Sequence, residues 1–182
     1  DFLMGKQLTG SRLGILGMGR IGRAVADRAR SFGMEIHYFN RSQLDIKLEK
    51  GAIYHNSLKS LLSVSDFFSI NCPATKETKH IINKETLKSF PDGAIISNSA
   101  RGDMIEDNAM VEALKSGKVY SLGLDVYNGE PNIHPEYLTL PNVFVLPHLG
   151  SSTINTRTAM GNLAISNIEE FFKTGNCKNK VN

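Results

Sequence analysis

Apolar residues in this chain follow two alternating periods. Seven short apolar runs, RLGIL (12–16), MEIHYF (34–39), AIYH (52–55), DFFSIN (66–71), AIISNSA (94–100), SLGLDV (121–126) and NVFVLP (142–147), are bounded by Gly, Pro, Asn or Asp and read as strands. Segments of helical spacing lie between them. From Arg20 to Phe32 the apolar residues Ile21, Ala24, Val25, Ala29 and Phe32 fall on one helical face, and Gly33 suits the position just past the helix end. QLDIKLEKG (43–51) predicts a short helix or turn, and Ser57–Ser63 and NKETLKSF (83–90) predict short helices, the last closed by Pro91-Asp92-Gly93. Glu106 to Gly117 predicts a helix with acids in its first turn and Gly117 as its stop. Ile154 to Phe172 predicts a long amphipathic helix, with Met160, Leu163, Ala164, Ile168, Phe171 and Phe172 on one side.

Strands alternating with helices imply crossover connections. They predict a doubly wound, mostly parallel α/β sheet of about seven strands flanked by helices, a Rossmann-like fold. The 182 residues suffice for one nucleotide-binding domain, with a core over about residues 10–155 and a C-terminal helix and tail over 156–182. Hydrophobic content of 41% and charged content of 21% are those of a soluble globular chain, and no apolar run reaches a membrane span of about 20 residues. The start, DFLMGKQLTG, shows no signal-peptide pattern and lacks an initiator Met, so it reads as a cut end. Two cysteines make neither a disulfide framework nor a metal motif, and this points to a reducing cytoplasm. No paired histidine–acid spacing predicts a metal site. The net charge of +3 is scattered among acids except in the tail after Lys173, which argues against a nucleic-acid partner.

Candidate chemistry begins after the first strand. Gly17-Met18-Gly19-Arg20-Ile21-Gly22 fits G-x-G-x-x-G between a predicted strand and a predicted helix, the context that gives this motif its meaning. Gly17 permits the tight turn, Gly19 the approach of a pyrophosphate, and Gly22 close helix–strand packing, while Arg20 adds charge. The helix N-terminus then presents N–H groups to the phosphates. The second strand ends in Asn40-Arg41-Ser42, where NAD-preferring sites usually hold an acid for the ribose hydroxyls. Without that carboxylate a 2′-phosphate is not repelled, and Arg41 can pair with it, so the expected cofactor is NADP(H), with NAD(H) possible.

Arg101, Glu130 and His148 each follow one of the last three apolar runs. Ligand sites of open α/β sheets lie beyond the carboxyl ends of the strands, so this placement brings a guanidinium, a carboxylate and an imidazole to one rim. A carbonyl that takes up hydride needs a proton, which a histidine tuned by a carboxylate can donate. An arginine fork suits a substrate carboxylate. Taken singly, each residue also fits a plain role: a turn at Arg101, a solvated loop at Glu130, a helix cap at His148.

The stretches GILGMGRIG, NCPATKET (71–78), SNSARG (97–102), GLDVYNGEP (123–131) and LPHLGSST (146–153) resemble the cofactor-binding domain of the D-isomer-specific 2-hydroxyacid dehydrogenases, in that family's order and over almost the whole chain. The resemblance implies that Arg101 binds the substrate carboxylate and carbonyl, that Glu130 orients the histidine, and that His148 is the acid/base. It implies backbone contacts around Arg20 and Ile21 to the pyrophosphate, and Cys72, Pro73 and Thr78 beside the adenosine. Ser99 and Asp125 would border the nicotinamide, with Gly150 and Ser151 near its ring. The Asn40-Arg41-Ser42 selector resembles that of NADPH-preferring glyoxylate/hydroxypyruvate reductases. Glu130 departs from the glutamine general in the formate dehydrogenase branch. The alternatives are an NAD-dependent phosphoglycerate or other 2-hydroxyacid dehydrogenase, or a non-enzymatic module that senses nicotinamide nucleotides. Family chains carry a separate substrate domain, built largely from an N-terminal segment that this sequence does not contain. The isolated chain is therefore expected to bind cofactor but to turn over a small 2-oxoacid or 2-hydroxyacid poorly. A homodimer is implied by the resemblance alone.

Overall fold

All seven apolar runs become strands: β1 (Arg12–Leu16), β2 (Glu35–Phe39), β3 (Ile53–His55), β4 (Phe67–Ile70), β5 (Ala94–Asn98), β6 (Val119–Leu124) and β7 (Val143–Val145). They form one sheet in the order β3-β2-β1-β4-β5-β6-β7, with every pairing parallel. The computed structural model of the chain describes residues 5–180. It forms two compact units, one running through Pro147 and the other beginning at His148.

The first unit holds the sheet and the helices α1 (Arg20–Ser31), α2 (Ile46–Glu49), α3 (Leu58–Val64), α4 (Lys84–Leu87) and α5 (Asp107–Ser116). Successive strand residues point to opposite faces, so β1 feeds two cores. Leu13 and Ile15 pack with Ala26 and Ala29 of α1 and with Ile36 and Tyr38 of β2. Leu16 joins the larger cluster, which includes Phe68, Ile70, Ile96, Leu122 and the buried face of α5. Asp66, just before β4, accepts from the Arg12 backbone N–H at 3.0 Å and from its guanidinium at 2.9 and 2.8 Å, fixing the amino ends of β1 and β4 side by side.

Several boundaries differ from the sequence reading. β6 starts two residues earlier than the run SLGLDV, because buried Val119 pairs with Ala94, and it ends at Leu124. Asp125 therefore lies just beyond the strand. The helix read over 83–90 keeps only Lys84–Leu87, capped by Asn83. Its last residues leave in tight turns, and Phe90 is buried edge-on against Phe68. Two 3-10 turns, Gly102–Met104 and Pro135–Leu138, have no periodic signal and lay outside the sequence reading.

The second unit contains α6 (Ile154–Thr174). Thr153, rather than His148, caps this helix: its hydroxyl accepts from the Thr156 N–H at 3.1 Å. No residue of α6 is buried. Among the described residues, no helix is long and apolar enough to cross a membrane.

Candidate cofactor and active site

The strand order reverses between β1 and β4, so the chain leaves their carboxyl ends in opposite directions and opens a crevice there. Gly17 follows β1 with φ of 93°, in the left-handed region that favours glycine. A Cβ on Gly17 would lie 2.6 Å from the backbone nitrogen of Cys72, just past β4, and one on Gly22 would lie 2.2 Å from the Gly17 carbonyl oxygen. Both glycines are required by the chain's own packing. Gly19 is different: its φ of −72° suits any residue, and a Cβ there would meet nothing within 4 Å. It stands at the N-cap of twelve-residue α1 and offers no side-chain cap to the helix's first N–H groups. Open space before uncapped donors fits a pyrophosphate, with Arg20 and Ile21 exposed beside it.

The end of β2 is tied to this turn. Asn40 Oδ1 accepts from the Met18 N–H at 2.7 Å, so the residue standing where an acid was expected organises the glycine turn itself. Arg41 and Ser42 are exposed. Glu77 is held below the usual carboxylate range, chiefly by a hydrogen bond from Thr75 and in smaller part by the charge of Arg41, which places Arg41 and Glu77 in electrostatic reach. Thr78 folds its own loop: its hydroxyl accepts from the Thr75 N–H at 2.7 Å and donates to the Pro73 carbonyl at 2.9 Å. Cys72 is half-buried with its sulfur 3.8 Å from that of Met104, and burial pushes its thiol up, so it is a packing residue with a backbone at the crevice rather than a nucleophile.

Arg101 and Glu130 both belong to the first unit, on the rim beyond β5 and β6. Asn98, only 1% exposed, shapes the turn that leads to Arg101. Its amide donates to the Arg101 carbonyl at 2.8 Å and accepts from the Ala100 N–H at 3.0 Å, while its backbone carbonyl accepts from the Asp125 N–H at 3.0 Å. Gly102 then lets this turn meet the loop that bears Glu130: a Cβ there would fall 1.9 Å from the Tyr127 carbonyl carbon and 2.2 Å from the Asn128 nitrogen. Glu130 Oε1 accepts from the Tyr127 N–H at 3.2 Å, which steadies the carboxylate on its own loop. Arg101, Glu130 and Ser99 are exposed and Asp125 is half-buried. His148 opens the second unit with an unusual φ of 56°, and Gly150 and Ser151 follow it in the turn that leads to the Thr153 cap.

Sequence reasoning passed over two residues at these strand ends. Asn98 was visible as a polar residue inside an apolar run. Asn71, whose buried Oδ1 has no partner, follows β4 beside Gly17 and gave no signal beyond its place in NCPATKET. Among the described residues, no cluster of three or more His, Cys, Asp or Glu side chains is placed to hold a metal ion.

Comparison with known proteins follows the same lines. Residues 1–150 match the sequence profile of the D-isomer specific 2-hydroxyacid dehydrogenase, NAD binding domain. A glycerate dehydrogenase from Hyphomicrobium methylovorum is 45% identical over 172 residues, which cover 93% of this chain and 53% of that protein. Among solved structures, a glyoxylate reductase from Paecilomyes thermophila superposes with a TM-score of 0.93 at 46% identity, over 96% of this chain and 53% of that one. An NADPH-dependent glyoxylate/hydroxypyruvate reductase from Sinorhizobium meliloti, in complex with NADP and malonate, superposes with a TM-score of 0.90 at 34% identity, over 94% of this chain and 53% of that one. The chain thus spans about half the length of the relatives it matches.

Proposed function

This chain belongs to the D-isomer specific 2-hydroxyacid dehydrogenases as their NAD binding domain, and we propose that the full-length protein containing it reduces a small 2-oxoacid, glyoxylate or hydroxypyruvate, with NADPH as preferred donor. One observation carries this reading. The Gly17–Gly22 turn sits where the strand order reverses, is open before Gly19, and is followed at the end of β2 by Asn40, where NAD sites usually hold a carboxylate, and then by Arg41. The relatives' names support the substrate class: glycerate dehydrogenase, glyoxylate reductase and glyoxylate/hydroxypyruvate reductase all concern small hydroxy or oxo acids.

The nicotinamide, when bound, supplies a hydride for the substrate carbonyl carbon. The chain's residues do the rest. Arg101 pairs with the substrate carboxylate through its planar fork and helps to stabilise charge growing on the carbonyl oxygen. His148 holds the proton that this oxygen takes up, and Glu130 takes the orienting role that the family resemblance implies for it. The backbone N–H groups of Arg20 and Ile21 would hold the pyrophosphate, and Arg41 would pair with a 2′-phosphate.

Steady-state assays of the full-length protein with NADPH and NADH, against glyoxylate, hydroxypyruvate and pyruvate, test this directly. We expect a higher kcat/KM with NADPH and with glyoxylate or hydroxypyruvate. His148→Ala is expected to lower kcat by roughly 10²–10⁴-fold, the usual contribution of a general acid. A preference for NADH would sink the role given to Arg41, and unchanged turnover in His148→Ala would sink the acid/base assignment.

A further inference from the structure

The loop that presents Arg41 is held at both ends, and its second anchor lies away from the cofactor motifs. At the first end, Asn40 Oδ1 accepts from the Met18 N–H at 2.7 Å, and Tyr54 Oη donates to the Asn40 carbonyl at 3.5 Å. At the second, the fully buried Tyr38 on β2 accepts from the Leu44 N–H at 3.0 Å while its own hydroxyl proton goes to Glu49 Oε1. The same Glu49 oxygen accepts from the Gln43 amide at 3.0 Å. Glu49 is only 8% exposed, and its backbone carbonyl accepts from Arg30 of α1 at 2.7 Å, so the anchor is fixed to the helix that follows the Gly17–Gly22 turn. Arg41 and Ser42 are the two residues left between the anchors, both exposed.

We propose that Glu49 is a positioning residue for cofactor selection, acting through Tyr38 and Gln43 to hold the 41–44 segment in the conformation that offers Arg41 to a ribose 2′-phosphate. The inference rests on the reading of Arg41 as the phosphate partner. The chemistry of the anchor asks for an acceptor at Glu49. The Tyr38 oxygen is turned toward the Leu44 N–H, so its hydrogen must go elsewhere, and a buried carboxylate can take it together with the Gln43 amide proton. Burial and this carboxylate push the Tyr38 hydroxyl up to about 12, which keeps it a donor throughout the working range. A segment restrained at both ends has less conformational freedom to lose when Arg41 engages a phosphate. The pyrophosphate contacts belong to a different turn, so this restraint favours the cofactor that carries the 2′-phosphate.

The ratio of NADPH to NADH affinity is the readout, because a merely structural defect would weaken both nucleotides alike. Dissociation constants measured by fluorescence titration of this chain should show Tyr38→Phe and Glu49→Ala weakening NADPH about five- to tenfold, on the scale of one buried hydrogen bond, with NADH changed less than twofold. Glu49→Gln, which keeps an acceptor oxygen, should retain most of the preference. Gln43→Ala, at an exposed position, should give a smaller shift of the same sign and covers the case in which the buried variants fail to fold. Arg41→Ala separates the two readings. If the parent chain shows no NADPH preference and Arg41→Ala changes nothing, the phosphate reading fails and this inference falls with it. If the parent prefers NADPH through Arg41, yet Tyr38→Phe, Glu49→Ala and Gln43→Ala leave the ratio unchanged, the positioning role alone is overturned.

Discussion

Three glycines in one six-residue turn do different work, and substitution would separate them. Gly22→Ala forces a methyl to within 2.2 Å of a backbone oxygen, a contact that only movement of the turn can relieve. Gly19→Ala meets nothing in the chain and suits its backbone. We therefore expect Gly22→Ala to lower both the melting temperature and nucleotide affinity. Gly19→Ala should melt like the parent, or slightly above it through a less flexible unfolded chain, yet bind NADPH at least tenfold more weakly. Thermal melts alongside nucleotide titrations check both, and undiminished binding by Gly19→Ala would show that the open space is not the pyrophosphate site. The motif's spacing was legible in the sequence. That Gly19 alone of the three stands clear of neighbouring backbone became visible with the backbone of Cys72 and Gly17 in place.

At the scale of elements, the β3 edge of the sheet carries a polar chain that the periodicity concealed. His37 sits inside the apolar run MEIHYF and is buried. Its Nδ1 lies 2.9 Å from His55 Nε2 on β3, its Nε2 lies 2.6 Å from Glu35 Oε1, and His55 Nδ1 lies 2.7 Å from Ser60 Oγ on α3. Two ring nitrogens that share one proton cannot both carry one, so two imidazoliums are incompatible with this bond. Burial, and then the neighbouring His37, hold His55 below its ordinary value of 6.5. The unfolded chain thus takes up this proton first as pH falls. The stabilisation is complete above pH 6.5 and is lost as pH drops through the lowered folded value. Melting temperatures should decline from pH 7 toward pH 5 in the parent and less steeply in His55→Gln. Equal slopes would remove His55 as the cause. The contribution of Asp66, whose carboxyl the Arg12 guanidinium holds below its ordinary 3.8, is lost only at lower pH and leaves this window clear.

The whole first unit depends on the central strands being buried on both faces, as parallel sheets require. Ile96, fully buried on β5, stands in the larger core with Phe68 and Leu122 on the strands beside it. Ile96→Ala should cost about 3 kcal/mol, the usual loss for removing a large aliphatic side chain where the surroundings relax only in part. Urea unfolding would show this as a lower midpoint with an unchanged slope. A loss below about 1 kcal/mol would mean that this core closes over the cavity. The sequence alone determined the strand and helix alternation, the glycine turn after β1 and the placement of Arg101 and Glu130 beyond β5 and β6. Those follow from local periodicity, glycine spacing and the rule that loops after parallel strands share one edge. The tertiary structure decided which polar residues hold that edge in shape. Gly102 against the 127–128 backbone, the Asn98 carbonyl on the Asp125 N–H, and the Glu49 carbonyl on Arg30 of α1 join segments that are distant in sequence. A hydrogen bond or close approach between distant segments leaves no period in the chain, because it exists only once the strands have been laid side by side.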